Sequence, residues 1–475
     1  MGPSTPSSKS LNVGILIRVA TTNPREAPDG LSSSVAAQVY ETPYRPPLGD
    51  GPAEPVLFDG PLTQETSGGE TIQSGRLRPG ITFSDGTPLT VEHVAASLRD
   101  APSLAEQAHV EVKGERIQFR MKVPNARFEL ALTLPHCGVT LEKGGQLLGT
   151  GPYTIPPGAT SETMRLERNP RYHGKVAIEE IRFSVLPAEE DGRPLKLIRA
   201  LEAGTVDFTT MLSRKDALEI QGLHKSFKPA AATAILFFNT ERPALRDARV
   251  RKALALAIDR LAVAGVSYPN PLAFAATSLL PSILGMSHDG LTHDLAKARA
   301  LLGETGVVKP GRLRMLVLWA PRPYLPNPRP VAKLIAEQLA LLGIAVDQEQ
   351  PGSGDEFFAA AGAGRHELVL GGWIADTPDP ADYLEAILRS DRLKIGAMSY
   401  NVARFRSAAM DAALDSFRRD PSAANRNAIM GLLNSEVPLL PLMYGPNVVV
   451  HANRVRNVAV SPLGVPYFEK YDIAG

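Results

Sequence analysis

Two hydrophobic rhythms alternate along this chain, and that alternation limits its fold more than any other feature. Residues 11–20 alternate and are rich in β-branched side chains, as a strand requires. Residues 31–40 suit a short helix, with Ser32, Ser33 and Ser34 as candidate N-caps. The Pro- and Gly-rich stretch 41–80 predicts turns and short strands. Asp85-Gly86-Thr87-Pro88 marks a turn, after which Thr90 can cap a helix whose Val91, Val94, Ala95 and Leu98 share one face. Further strands are predicted over 116–123, 164–168, 178–186, 206–210, 234–239, 313–319, 344–348 and 368–374. Helices are predicted over 195–203, 247–260, 294–302 and 331–342, three of them stopped by Gly204, Gly303 and Gly343. Strands interleaved with helices in this way specify an α/β or mixed class. At 475 residues the chain exceeds what one core supports, so two or three lobes are expected.

Charge and composition remove several function classes. Lys plus Arg number 51 against 50 for Asp plus Glu, a net charge of +1, so no global field draws nucleic acid or an anionic membrane. The single cysteine, Cys137, rules out an internal disulfide. Pro135-His136-Cys137 invites a nucleophile reading, but a small buried hydrophobe beside a loop histidine accounts for it better. There is no P-loop, no Gly-x-Ser-x-Gly elbow and no His-Glu-x-x-His helix, so no enzyme, cofactor or metal is expected. His288-Asp289 and His293-Asp294 look like metal ligands, yet the second pair stands where a helix opens and a cap is needed. Phe357 and Phe358 read as core. Residues 261–286 carry no charge, but Pro269, Pro271 and Pro281 interrupt them, which predicts a buried loop and not a spanning helix. Residues 1–10, MGPSTPSSKS, have no apolar signal core. Either the chain is cytoplasmic, or a signal preceded this segment and the segment is a tether behind a membrane anchor; the second is expected.

Several segments, in order, resemble the solute-binding protein family that serves dipeptide, oligopeptide and nickel ABC importers. They are Gly80-Ile81-Thr82-Phe83-Ser84-Asp85-Gly86-Thr87-Pro88, Gly149-Thr150-Gly151-Pro152-Tyr153 and Leu166-Glu167-Arg168-Asn169-Pro170-Arg171-Tyr172. Then follow Phe238-Asn239-Thr240, Ala257-Ile258-Asp259-Arg260, Ala296-Lys297-Ala298-Arg299-Ala300-Leu301-Leu302 and Gly372-Trp373-Ile374-Ala375-Asp376. The resemblance implies a two-lobed periplasmic-binding-protein-like fold (type II, cluster C) with an extra third subdomain. Residues 1–43, 149–239 and 445–475 would form domain I, 44–148 a small domain II, and 240–444 domain III. Between Gly49 and Arg78 the chain departs from the family, so domain II is expected to be reduced.

The implied function is capture of a short peptide outside the cytoplasm, by a monomer that hands it to ABC permease subunits. The lobes would close over the ligand, and contacts made only in the closed state would drive closure. A peptide carries an ammonium and a carboxylate, and burying both needs an acid and a base in the site. The resemblance assigns the carboxylate to Arg322 and the ammonium to Asp376, with Trp373 and Tyr324 walling the pocket. Ser32, Ser33 and Ser34 would donate to the peptide backbone, and Asn239 and Tyr400 are further candidates. The alternatives are a cytoplasmic ligand sensor on the same fold, or a binder of a nickel chelate, haem, an opine or an oligosaccharide.

Overall fold

A computed structural model describes residues 9–27, 29–47, 51–189, 193–281, 284, 290–304, 306–319, 322–393, 400–461 and 463–474. The expectations for residues 1–8 and for His288-Asp289 lie outside the described residues. The chain divides into two compact units, Met1–Lys228 with Asn447–Gly475, and Pro229–Pro446. It passes between them within the strands His224–Phe238 and Leu439–His451, not after residues 239 and 444 as the domain scheme expected. Among the described residues no helix is long and apolar enough to cross a membrane.

In the first unit the strand Ser10–Ile15 runs parallel to Glu180–Val185, from Ser10 opposite Glu180 to Ile15 opposite Val185. Phe208–Thr209 lies on its other side. Leu11, Val13, Ile15, Ile181 and Phe208 bury their side chains together with Phe468 and Tyr471 from the end of the chain. The returning segment is fastened by Arg454, whose Nε and Nη2 donate to the two carboxylate oxygens of Asp207 at 2.8 and 2.7 Å. Two parallel charge-assisted bonds set both distance and angle.

Residues between Tyr44 and Val139 of the same unit enclose a separate core of Phe58, Phe83, Val94, Leu98, Ile117, Phe119 and Phe128. An antiparallel sheet ordered Thr63–Ser67, Glu70–Arg76, Arg116–Met121, Ala108–Lys113 backs it. The stretch read as shortened thus holds a complete hairpin. Gly68 and Gly69 turn it with φ of 61° and 84°, a pair of left-handed residues suited to a tight hairpin. The helix Val91–Arg99 packs on the sheet, and Thr90 caps it as expected, accepting from the His93 N–H. Cys137 is fully buried and its thiol donates to the Ala131 carbonyl at 3.4 Å. Burial pushes that thiol's pKa up, the opposite of what a nucleophile needs.

In the second unit Arg312–Val317 lies parallel between Ala345–Glu349 and Leu368–Ile374, and His224–Phe238 pairs antiparallel with the last of these. Three expectations are corrected here. The helix predicted over 247–260 is two helices, Ala248–Ala257 and Arg260–Ser267. Asp259 ends the first by capping the second: its side chain accepts from the Leu261 and Ala262 N–H groups, and Ile258 takes an extended backbone. The stretch read as a buried loop from 261 therefore begins as a helix. The strand expected over 234–239 begins ten residues earlier, at His224, because its first residues are polar and carry no apolar alternation.

Candidate functional site

The second unit holds six of the candidate site residues, Asn239, Arg322, Tyr324, Trp373, Asp376 and Tyr400. The strands Arg312–Val317 and Leu368–Ile374 are parallel neighbours, with Val317 opposite Leu370, so the loops that follow them leave the same end of the sheet. Arg322 and Tyr324 stand on the first loop, Trp373 and Asp376 at the end of the second strand and just beyond it. Such strand ends are where α/β proteins place ligands.

Each loop is anchored. Arg322 and Leu325 exchange backbone hydrogen bonds, the Arg322 N–H to the Leu325 carbonyl at 3.0 Å and the reverse at 2.9 Å. The loop ends at Pro328, whose missing N–H suits the first turn of the helix Pro328–Ala340. At the loop's base the Arg329 guanidinium lies 4.1 Å from the centre of the Trp319 ring. The second loop starts with the Ala375 N–H on the Ala231 carbonyl and ends at Asp379, which caps the helix Pro380–Leu388 through the Ala381 N–H. Asp379 as cap agrees with the turn-and-cap chemistry of Asp-Thr-Pro-Asp-Pro.

Two ring contacts belong to the same strand end. Tyr324 passes over Gly372: a Cβ added there would sit 2.5 Å from the Tyr324 ring and 2.4 Å from the Thr233 carbonyl oxygen. Only glycine lets the ring come so near the strand. Gly372→Ala is expected to push Tyr324 aside and cost about 1–3 kcal/mol through overpacking. Paired thermal unfolding and ligand titration would show both losses, and an unchanged affinity would detach Tyr324 from the site. Trp373 meets Tyr400 edge to face, with ring centres 5.0 Å apart at 68°. The structure thus joins Trp373 to Tyr400, which the sequence offered only as a further candidate.

Arg322 is half-buried, and its guanidinium makes no ion pair or side-chain hydrogen bond with any described residue. Asp376 is exposed and has no cationic partner among the described residues. The protein around its carboxyl removes hydration, and Asp382 adds like charge, so its pKa lies above the ordinary aspartate value. Asp382 is itself held, accepting from Thr377 Oγ1 at 2.8 Å and from Arg418 at 2.6 Å. Arg418 also donates to Glu385 at 2.5 Å and stands 3.9 Å from Asp379. The sequence reading missed both Asp382 and Arg418. Asp382 lies six residues past Asp376, a spacing that signals nothing before the helix Pro380–Leu388 is in place.

The remaining candidates are placed elsewhere. Asn239 follows Phe238, which pairs with Leu368 at the opposite end of the strand from Trp373. Its Nδ2 donates to the Gly364 and His366 carbonyls, and its Oδ1 accepts from the Glu241 N–H. The structure therefore separates Asn239 from the cluster and gives it a turn to hold. Ser32, Ser33 and Ser34 belong to the first unit, in the helix Gly30–Ala36. The cap expected of them is supplied by Asp29, whose side chain accepts from the Ser32 N–H. The buried Ser32 hydroxyl donates to Asp29 at 3.0 Å and accepts from the Ala20 N–H at 3.1 Å. Ser33 and Ser34 are half-buried. His293 contacts the Leu256 carbonyl and Asp294 caps the helix Leu295–Leu302, so this pair serves the local fold. Phe357 is buried as expected of core, whereas Phe358 is exposed.

Comparison with known proteins bears on the chain as a whole. Residues 63–394 match the family model for bacterial extracellular solute-binding proteins, family 5 middle region. A probable di/tripeptide-binding protein 5 of Pseudomonas aeruginosa is 27% identical over 338 residues, which cover 68% of this chain and 61% of that protein. The match thus spans about six tenths of the relative's own length. Among solved structures, HbpA2 from Haemophilus parasuis gives a TM-score of 0.85 at 21% identity, covering 98% of this chain and 100% of that one. A dipeptide-binding protein from Pseudoalteromonas sp. SM9913, in complex with Met-Leu, gives 0.72 at 20% identity over 98% and 100% of the two chains. At such identities the likeness establishes the fold, and the expected α/β periplasmic-binding-protein-like architecture is borne out.

Proposed function

Since the chain belongs to the bacterial extracellular solute-binding proteins of family 5, we propose that it captures short peptides outside the cytoplasm and delivers them to the membrane subunits of an ABC importer, catalysing no reaction. One observation carries the reading. A guanidinium and a carboxylate without ion-pair partners among the described residues stand on loops leaving the same end of two neighbouring strands, together with aromatic rings. A zwitterion with an extended backbone is the ligand that answers both charges. The guanidinium of Arg322 offers two parallel donors to a terminal carboxylate. Asp376 offers an acceptor to a terminal ammonium, while Trp373, Tyr324 and Tyr400 supply apolar walls tolerant of varied side chains. The names of the similar proteins agree with this ligand class.

The test is calorimetric titration with di- and tripeptides, their N-acetylated and C-amidated forms, and free amino acids. Blocking either terminus is expected to weaken binding sharply. Equal affinity for the doubly blocked peptide would sink the reading.

The raised pKa of Asp376 adds a pH signature. Only the ionised carboxyl attracts an ammonium, so affinity should be level at neutral pH and fall up to tenfold per unit below the free protein's Asp376 pKa. The sign for stability is the reverse. A carboxyl whose folded pKa is raised contributes stability below its unfolded value, and that contribution is lost as pH rises through the folded pKa. Asp376→Asn should therefore raise the unliganded midpoint at neutral pH, leave it unchanged in acid, and flatten the pH profile of binding. A variant that keeps the wild-type profile would reassign the ammonium site.

A further inference from the structure

In the second unit the buried Arg251 and the half-buried Arg260 stand in opposite circumstances. Arg251 is satisfied by backbone: its Nε donates to the Glu436 and Val437 carbonyls at 3.0 and 3.1 Å, and its Nη1 to those of Leu245 and Arg246 at 2.7 and 2.9 Å. Arg260, at the start of the helix Arg260–Ser267, has one acceptor, the Leu291 carbonyl, which takes a bond from Nη2. Its Nη1 is buried without a partner among the described residues. No described carboxylate pairs with it.

That guanidinium borders a cavity of about 40 Å³, lined also by Thr277, Ser278, Met430, Leu433 and Leu439. The space admits a few water-sized groups, which is too little for a peptide. A second unanswered donor belongs to a residue that lines the same cavity. Ser278 is 4% exposed, and its hydroxyl has no hydrogen-bond partner among the described residues. The residue is held in place by Tyr444, whose hydroxyl accepts from the Ser278 N–H at 3.1 Å and donates to the Ser278 carbonyl at 2.9 Å. Gly290 closes one side with its N–H on the Thr277 carbonyl, and a Cβ there would stand 3.5 Å from Arg260 Nη1.

A half-buried cation with a buried idle donor, sharing a cavity with a residue whose buried hydroxyl is idle, lacks one thing: a compact anion with oxygen acceptors. We propose that this cavity is a small-oxyanion site, in which a carboxylate or phosphate group accepts from Arg260 Nη1 and Ser278 Oγ. Met430, Leu433, Leu439 and Leu440 make part of the lining apolar, which lowers the local dielectric and strengthens the charge interaction. None of Arg322, Tyr324, Trp373, Asp376 or Tyr400 lines it, so the site is independent of the peptide residues.

The experiment is thermal unfolding and calorimetry of the whole protein with sodium acetate and, separately, sodium phosphate, each against sodium chloride at matched ionic strength. A saturable rise in midpoint with one of the oxyanions is expected, and the responding arm identifies a carboxylate or a phosphate source. Arg260→Gln should abolish the response. Ser278→Ala removes only a hydroxyl without a partner among the described residues, and should weaken the anion about 10- to 150-fold, the worth of one hydrogen bond to a charged group. It decides alone if the arginine variant does not fold. No saturable response above chloride, or an unchanged response in Ser278→Ala, overturns the proposal. Peptide affinity should be the same in Ser278→Ala as in the wild type.

Discussion

Arg322→Ala is expected to weaken dipeptide binding by about 30- to 1000-fold while leaving the thermal midpoint of the unliganded protein unchanged. The two halves of this result have separate causes. A terminal carboxylate taken from water into the site loses its hydration, and without the guanidinium it is left unpaired. Truncating one partner of a desolvated charge pair costs about 2–4 kcal/mol or more, which is the quoted range of affinity. The unliganded protein loses no ion pair, because Arg322 has none with a described residue. The loop's fold rests on the backbone exchange with Leu325, which the substitution leaves in place. Arg322→Lys should recover part of the affinity, since an ammonium restores the charge but not the two-pronged geometry. Titration with a dipeptide and its C-amide distinguishes the roles. The alanine variant should bind both alike, and a variant that still prefers the free carboxylate would place the anion site elsewhere.

Arg418→Ala carries the largest expected effect on stability. Arg418 sits among Asp379, Asp382 and Glu385, with charge-assisted hydrogen bonds of 2.6 and 2.5 Å to the last two. Asp379 is almost wholly buried and Glu385 nearly so. Removing Arg418 takes its guanidinium away from three acids on or before a single helix. Breaking a buried pair from one side costs about 3–5 kcal/mol. Urea unfolding at neutral pH should show that loss. The loss should shrink on acidification, because protonated carboxyls no longer repel one another. A deficit independent of pH would mean that Arg418 acts through packing alone. The same substitution exposes Asp376 to the full charge of Asp382. The acid limb of the peptide-binding profile should then move to higher pH, which links the structural cluster to the ligand site.

How much of this was legible beforehand differs by element. Thr90, Asp294 and Asp379 cap the helices they precede, and each stands within three residues of the group it satisfies. Chemistry so local can be read from order alone. The break at Asp259 has the same local character, but the apolar face running past it hid the second cap. The strand Leu368–Ile374 appears with the bounds expected, because its apolar run is short and flanked by turn residues. The polar opening of His224–Phe238 hid that strand's true start.

The candidate site divides along the same line. Arg322, Tyr324, Trp373 and Asp376 were legible through their resemblance to a family, not through spacing, since Arg322 and Asp376 lie on separate loops. Arg418 reaches acids 33 and 36 residues away, so no window along the chain shows the clamp. Sequence by itself determined the α/β class, the caps and turns, and the charged and aromatic side chains available for a ligand. Tertiary structure alone decided which of those share one end of a sheet. It put Asn239 at the far end, fitted Tyr324 over Gly372, and surrounded Asp376 with the desolvation and like charge that raise its pKa. The physical reason is register. A hydrogen-bonded ladder fixes neighbours by pairing residues remote in the chain, and that pairing sets both the reach of side chains and the field each one feels.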